Sequence, residues 1–425
     1  MYDGVVCFKI IFLGNTFNFI QLRFAIYAYI IKLKPNDLLE YKDHTTIPMA
    51  QIDERFPDFR NKGITGLMNL GNTCFVNSCL QALSHTYELN RFLNDEKYKK
   101  RLTKKPDAVL LSEWDKLRTL MWSENCIVSP GGFMASMKQI ARLKNQELFT
   151  HNSQNDVQEF LVFMLDSFHM ALSREVNMTI TGDINNNKDI IGRKCYEMMQ
   201  QMYTKNYSEM LNLFYGIQMS VITEVGGNDA GSASGEVLSI SPEPFSIISL
   251  SIPIVEIPDT GKSRIPTLID CFTHYCAGEL MQGDNAWFNS TTNKYQDVKR
   301  GTMYWSLPNI MIIDLKRVQY TERGAVKISI PVEIPLTGLN MSSFVNGYKR
   351  DSYIYDLYAV CNHHGNSSGG GHYTATICTA SNVWYAFNDE NVKQVEMKGN
   401  TITSNLPYCL FYRKRQNGEK MVNNK

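Results

Sequence analysis

An α+β fold is predicted by two changes along this chain and by the lack of any repeat that would interleave them. From Thr73 to about Arg174 the apolar residues recur at helical spacing, as in Phe75, Cys79, Leu80 and Leu83, or Val157, Phe160, Leu161, Met164 and Leu165. Further on, the runs "FSIISLSIPIVEI", "GTMYWSLPNIMIIDLKRV", "YIYDLYAV" and "VWYAF" are β-branched and aromatic and are bounded by Gly, Pro and Asn, which is the pattern of strands. Helices come first and sheet second, so any site belongs in the cleft between them. The stretch "NMTITGDINNNK" turns polar, and "GGNDAGSASGE" at Gly226 to Glu236 reads as a flexible surface loop.

The 425 residues suffice for two or three domains, or for one elaborate domain with extensions. With 43 Lys+Arg against 42 Asp+Glu there is no global pull toward nucleic acid or an anionic membrane. Ten cysteines are scattered irregularly, which excludes a disulfide framework and favours a reducing compartment, cytoplasmic or nuclear. No two of them form a C-x-x-C pair, so no metal is expected; Cys271 and Cys276, with His274 between them, read as packing. The apolar N-terminus, "CFKIIFLGNTFNFIQLRFAIYAYIIKLK", is broken by Lys9, Arg23 and Lys32 into runs shorter than the ~20 residues of a spanning helix. It also lacks the small-residue cleavage pattern of a secretory signal, leaving an extra strand or helix packed on the body, or an interfacial segment.

In "NKGITGLMNLGNTCFVNSCLQAL" a turn becomes a helix at Cys74. A thiol at a helix N-terminus meets the positive end of the dipole and unpaired N–H groups, both of which favour the thiolate; a small buried hydrophobe is the alternative. A nucleophilic cysteine needs a base. His372 follows the mobile "HHGNSSGGG" and opens the alternating "HYTATIC", a loop–strand junction from which a side chain reaches a cleft. Asn388 and Asp389, at the end of "WYAFNDENV", offer an oxygen to accept the histidine's Nδ1–H. Asn69 is placed to swing its amide over the helix terminus, where the Cys74 N–H is a second oxyanion donor, although a plain turn asparagine would look the same.

"GLMNLGNTCFVNSCLQAL" resembles the cysteine box of the ubiquitin-specific proteases, papain-like deubiquitinating enzymes, and "GGGHYTATI…WYAFNDENV" resembles their histidine box. Between them "NSQNDVQEFLVFMLD" is similar to the family's glutamine-aspartate-glutamate-phenylalanine helix, "LPNIMIIDLKRV" to its leucine-lysine-arginine strand, and "PYCLFYRKR" to its last core strand. The resemblance implies a papain-like fold with a helical thumb, a β palm and β fingers. The expected division is an N-terminal extension of unknown role over 1–55, a catalytic domain over 56–418 and a C-terminal tail over 419–425; the thumb takes about 60–210, the fingers about 214–320, and the palm about 320–415 plus strands between.

Carried onto this chain, the resemblance makes Cys74 the nucleophile, His372 the base and then the acid, Asn388 the orienting third member, Asn69 the oxyanion donor and Asp389 a helper or substitute. It implies hydrolysis of the isopeptide or peptide bond after ubiquitin's C-terminal glycine, through a thioester and without a cofactor. Asp156, Glu159, Gln154 and Tyr373 match positions that meet the ubiquitin tail, whose arginines call for carboxylates, and Asn366 to Gly371 corresponds to a blocking loop. Ubiquitin, ubiquitinated proteins and an activator are the implied partners, with neither nucleic acid nor a membrane span. Where many members carry two zinc-binding C-x-x-C pairs in the fingers, Asn289 and Thr292 replace one pair and "SVITEVGG" has no cysteine for the other. Two rival readings share the motifs: an inactive ubiquitin-binding scaffold, and a protease for another ubiquitin-like modifier.

Overall fold

In a computed structural model of the chain, residues 8–11, 54–225, 237–322, 324–365 and 370–416 are described. The flexible loop expected at Gly226 to Glu236 and most of the N-terminal extension lie outside them. Phe8–Ile11 forms a strand, β1, antiparallel to β2 (Asn177–Ile180).

The first half folds as expected into α1 (Cys74–Ser84), α2 (Tyr87–Asn94), α3 (Asp107–Ser123), α4 (Gly131–Leu143) and α5 (Val157–Leu172). Helix α1 is buried along its whole length, which its small and apolar residues permit. Helix α5 starts where the Asp156 carboxylate accepts the Gln158 N–H at 2.7 Å, an N-cap. The polar stretch after α5 contains β2 and runs into α6 (Asn187–Asn206), followed by α7 (Glu209–Phe214). Only Asp189, Gly192, Cys195 and Tyr203 of α6 are buried, so its apolar signal is weak.

The fingers are a sheet of β3 (Gly216–Glu224), β4 (Val237–Phe245), β6 (Glu279–Met281) and β7 (Val298–Ser306) in the order β6-β7-β3-β4; β5 (Ile247–Ser251) and α8 (Leu268–Cys276) fall between them in sequence. The palm sheet adds β8 (Ile310–Lys316), then, after the hairpin of β9 (Val318–Thr321) and β10 (Gly324–Lys327), β11 (Leu339–Asn340), β12 (Ile354–His364), β13 (His372–Cys378), β14 (Trp384–Asn388), β15 (Asn391–Val395) and β16 (Pro407–Lys414). Its order is β15-β14-β13-β12-β16-β8-β5, with β11 paired to β12 and only β8 and β5 parallel.

Alternation along the palm strands separates two cores. Ile310, Ile312, Cys361, Cys409 and Phe411 pack with the thumb helices, whereas Met311, Ile313, Leu315, Val360, Leu410 and Tyr412 pack with α8 on the other face. Two buried arginines join the parts. Arg317 donates to the carbonyls of Pro407, Ile330, Ile328 and Ser404 at 2.7–3.3 Å, and Arg413 ties the palm to α2 through Glu88 at 2.9 Å and to the end of α1 through the His85 carbonyl at 2.9 Å.

Candidate active site

Cys74 is the first residue of α1, 2% exposed, where that helix packs on β13. The backbone N–H groups of Tyr373, Phe75 and Cys74 itself face the sulfur and favour the thiolate. Burial outweighs them, and the Asp389 charge adds to it, so the thiol is pushed up from its usual value. This corrects the expectation drawn from the helix terminus alone: the resting thiol keeps its proton and needs a base to lose it.

His372 opens β13 opposite His364 of β12. Its Nε2 lies 2.6 Å from Asn388 Oδ1, at the end of the neighbouring strand β14. An amide oxygen only accepts, so Nε2 carries the proton and Nδ1 is the basic nitrogen. The expected contact is therefore made, but through the opposite ring nitrogen: Nε2–H, not Nδ1–H, meets the third member. Sheet register decides which edge of the imidazole faces Asn388, and no local pattern shows it.

Asp389 is the next residue, in the left-handed region at φ 51°. Its carboxylate is 3.9 Å from His372 Nε2. Oδ1 accepts from Asn77 Nδ2 at 2.7 Å and Oδ2 from Asn69 Nδ2 at 2.8 Å, while its carbonyl accepts the Leu67 N–H at 3.0 Å. These bonds clamp the cysteine box to the histidine box. The approach is so close that a Cβ on Gly66 would stand 2.4 Å from the Glu390 carbonyl oxygen, which only glycine permits. Asn69 is further fixed by accepting the N–H groups of Gly71 at 3.0 Å and Thr73 at 3.3 Å, and its amide keeps one hydrogen beyond the one given to Asp389. Asn77 escaped the sequence reading; its place one helical turn after Cys74 is the signal that could have found it.

Of the residues matched to the tail channel, Glu159 is exposed on the first turn of α5, beside the cap Asp156. Burial raises both carboxyls, and Asp156 raises Glu159 further. Gln154 bonds both polar groups of Gly371, donating to its carbonyl at 2.9 Å and accepting its N–H at 3.2 Å. Tyr373 is 8% exposed and packs against His363, with ring centroids 4.6 Å apart. Residues 366–369 of the expected blocking loop lie outside the described residues. Asp314 was not singled out in the sequence. It lies on the thumb-facing side of β8 between Ser249 and Cys409, and burial followed by the Asp156 charge pushes it up to about 7.

In the fingers, Asn289 Oδ1 accepts the N–H groups of Thr291 at 2.9 Å and Thr292 at 3.3 Å, and its Nδ2 donates to Gln296 at 3.0 Å. These bonds close the hairpin of Trp287–Asn289 and Lys294–Gln296. Among the described residues no three His, Cys, Asp or Glu side chains converge to hold an ion. Cys271 lies on the buried face of α8, and burial pushes its thiol up to about 12.

A profile of the ubiquitin carboxyl-terminal hydrolase family matches residues 65–412. The chain belongs to that family. Among its relatives within the ubiquitin carboxyl-terminal hydrolases, Usp2 of Drosophila melanogaster is 32% identical over 367 residues, which cover 84% of this chain and 35% of that protein. Ubiquitin carboxyl-terminal hydrolase 2 of Homo sapiens is 31% identical over 360 residues, 83% of this chain and 55% of that one. Ubiquitin carboxyl-terminal hydrolase 21 of Mus musculus is 29% identical and covered to 62%. The matched region thus spans about a third to just under two thirds of these relatives' length. The fold is that of the SAGA Ubp8/Sgf11/Sus1/Sgf73 DUB module structure bound to ubiquitin aldehyde: TM-score 0.60 at 23% identity, over 84% of this chain and 70% of that one. The chain therefore has the α+β, papain-like plan of its family, and no described helix is long and apolar enough to cross a membrane.

Proposed function

We propose that this chain is a thiol-dependent deubiquitinase that cleaves the bond after ubiquitin's C-terminal glycine. The observation that carries the reading is the 2.6 Å contact of His372 with Asn388, on a strand packed against the helix that Cys74 begins. His372 takes the thiol proton at Nδ1, and the thiolate attacks the carbonyl carbon. The second amide hydrogen of Asn69 and the Cys74 N–H receive the charge that develops on the oxygen. His372 returns the proton to the leaving amine, and water then hydrolyses the thioester.

Asp156 caps α5, Glu159 is exposed on its first turn, and Asp314 is near enough to feel the Asp156 charge. Such carboxylates suit the arginines of the ubiquitin tail. Ubiquitinated proteins are the proposed partners. An accessory protein is a further one, by analogy with the related fold, which occurs in a DUB module with Sgf11, Sus1 and Sgf73. A cytoplasmic or nuclear location follows from the scattered cysteines, and the catalytic domain is proposed to span 56–418, with extensions of no assigned role on either side.

The test is reaction with a ubiquitin-tail probe carrying a thiol trap, beside probes built on other ubiquitin-like modifiers. Labelling of the wild type by the ubiquitin probe, lost in Cys74→Ala, is expected. No labelling means an inactive scaffold, and preference for another probe moves the substrate to that modifier.

A further inference from the structure

Lys327 ends β10, outside every motif matched above, yet its ammonium converges on the strand that faces the base. Its Nζ donates to the Gly365 carbonyl at 2.7 Å and to the His363 carbonyl at 3.2 Å, and approaches His363 Nδ1 at 3.1 Å. It also sits 5.3 Å from the centre of the Tyr408 ring. An ammonium has no lone pair to accept with, so His363 Nδ1 is the acceptor and the His363 proton is on Nε2. The ring is 5% exposed and wedged between Tyr373 and Tyr408, with centroids at 4.6 and 5.0 Å.

The Nε2 edge of His363 is pressed against Gly371, where a Cβ would lie 2.3 Å from that nitrogen. From the thumb, the Gln154 carboxamide holds both the N–H and the carbonyl of the same glycine. His372 is the next residue, registered opposite His364. The backbone that delivers the base is thus gripped between a thumb amide and a palm imidazole, and Lys327 fixes that imidazole.

We propose that Lys327 is a positioning residue for His372: by holding His363 as a neutral Nδ1 acceptor and tying down the end of β12, it sets the backbone from which the base reaches Cys74. The inference rests on the catalytic reading above. Charge around His363 agrees with it. Burial, then Lys327, His364 and His372, bring its pKa down to about 4, so the ring stays neutral across the working range. Tyr373 and Tyr408 face it from β13 and β16, and Arg317 is the cation that faces Lys327.

The experiment follows alkylation of Cys74 by iodoacetamide against pH, read by mass on the Cys74 peptide of the full chain, in wild type, Lys327→Met, Lys327→Arg and His372→Ala. This readout needs no ubiquitin, so it stands apart from the hydrolysis test. Lys327→Met is expected to lose about tenfold to a hundredfold in rate at neutral pH, with a profile moved toward that of His372→Ala, because a small displacement of a catalytic group costs that much. Lys327→Arg, which keeps the donors, should recover most of the loss. In folded Lys327→Met, nitrogen shifts of the His363 imidazole should show both tautomers where wild type shows one. A Lys327→Met profile that coincides with wild type, or a lowered melting temperature with the profile shape unchanged, overturns the proposal. Wild type that alkylates with His372 assistance yet ignores every ubiquitin probe overturns the substrate and leaves the positioning role standing.

Discussion

Asn388 Oδ1 stands 2.6 Å from His372 Nε2, while the Asp389 carboxylate, 3.9 Å from the same nitrogen, spends its hydrogen bonds on Asn69 and Asn77. The two neighbours therefore do different work. Asn388→Ala frees the imidazole alone and should lower kcat about tenfold to a hundredfold with little change in melting temperature. Asp389→Ala unties both asparagines as well, so it should lower kcat and stability together. If Asp389→Ala keeps full stability and Asn388→Ala keeps full activity, their roles are exchanged.

Glu159→Lys should raise KM for ubiquitin substrates, the more so at low salt, and leave hydrolysis of a small ester unchanged. Glu159 is exposed, so no packing is lost with it. Asp156 caps α5, and Asp156→Lys mixes a lost cap, about 1 kcal/mol, with the charge effect. Asp156→Asn retains a capping oxygen and separates the two. Equal losses on both substrates from Glu159→Lys mean that the helix is structural.

The placement of Cys74, His372 and Asn388 at the ends of their elements was legible because each stands where one periodicity yields to another. The imidazole edge was not, because it depends on how β13 and β14 register across the sheet. Nor was Asp314 legible: "IMIIDLK" reads as one apolar run, and only packing on both faces shows that Asp314 shares the thumb side with Ile310 and Ile312. Helix α6 escaped because so few of its residues are buried. Lys327 gave no sign at all, since its partners lie 36 and 38 residues away.

In the fingers, Asn289 is 8% exposed and its carboxamide makes three hydrogen bonds that close the hairpin. Asn289→Ala should cost about 0.5–1.5 kcal/mol by removing the hydrogen bonds to the exposed Thr291 and Thr292, read as a lowered melting temperature. Chelator should leave the melting temperature of wild type unchanged, because among the described residues no three His, Cys, Asp or Glu side chains converge to hold an ion whose binding would be linked to folding. One zinc per chain by elemental analysis would reverse this and direct attention to Cys271, His274 and Cys276.

Asp314 carries the clearest dependence of stability on pH. Its carboxyl is raised from the usual 3.8 to about 7, first by burial and then by Asp156, against a lowering hydrogen bond from Ser249 and the charge of Lys316. Between those two values the folded chain holds a proton that the unfolded chain has released, so stability from this group falls as pH rises and its full cost is present above about 7. Asp314→Asn removes the titration while keeping the shape. It should be near neutral for stability in acid and should stabilise by about 1–2 kcal/mol in mildly alkaline buffer, the full shift being discounted for the partial exposure of the group. The same substitution should raise KM for ubiquitin, since a neutral amide attracts the tail's arginines less than a carboxylate does. Thermal melts at both ends of the range decide it: a stability difference that does not change with pH means that Asp314 titrates as an ordinary carboxylate, whatever its neighbours.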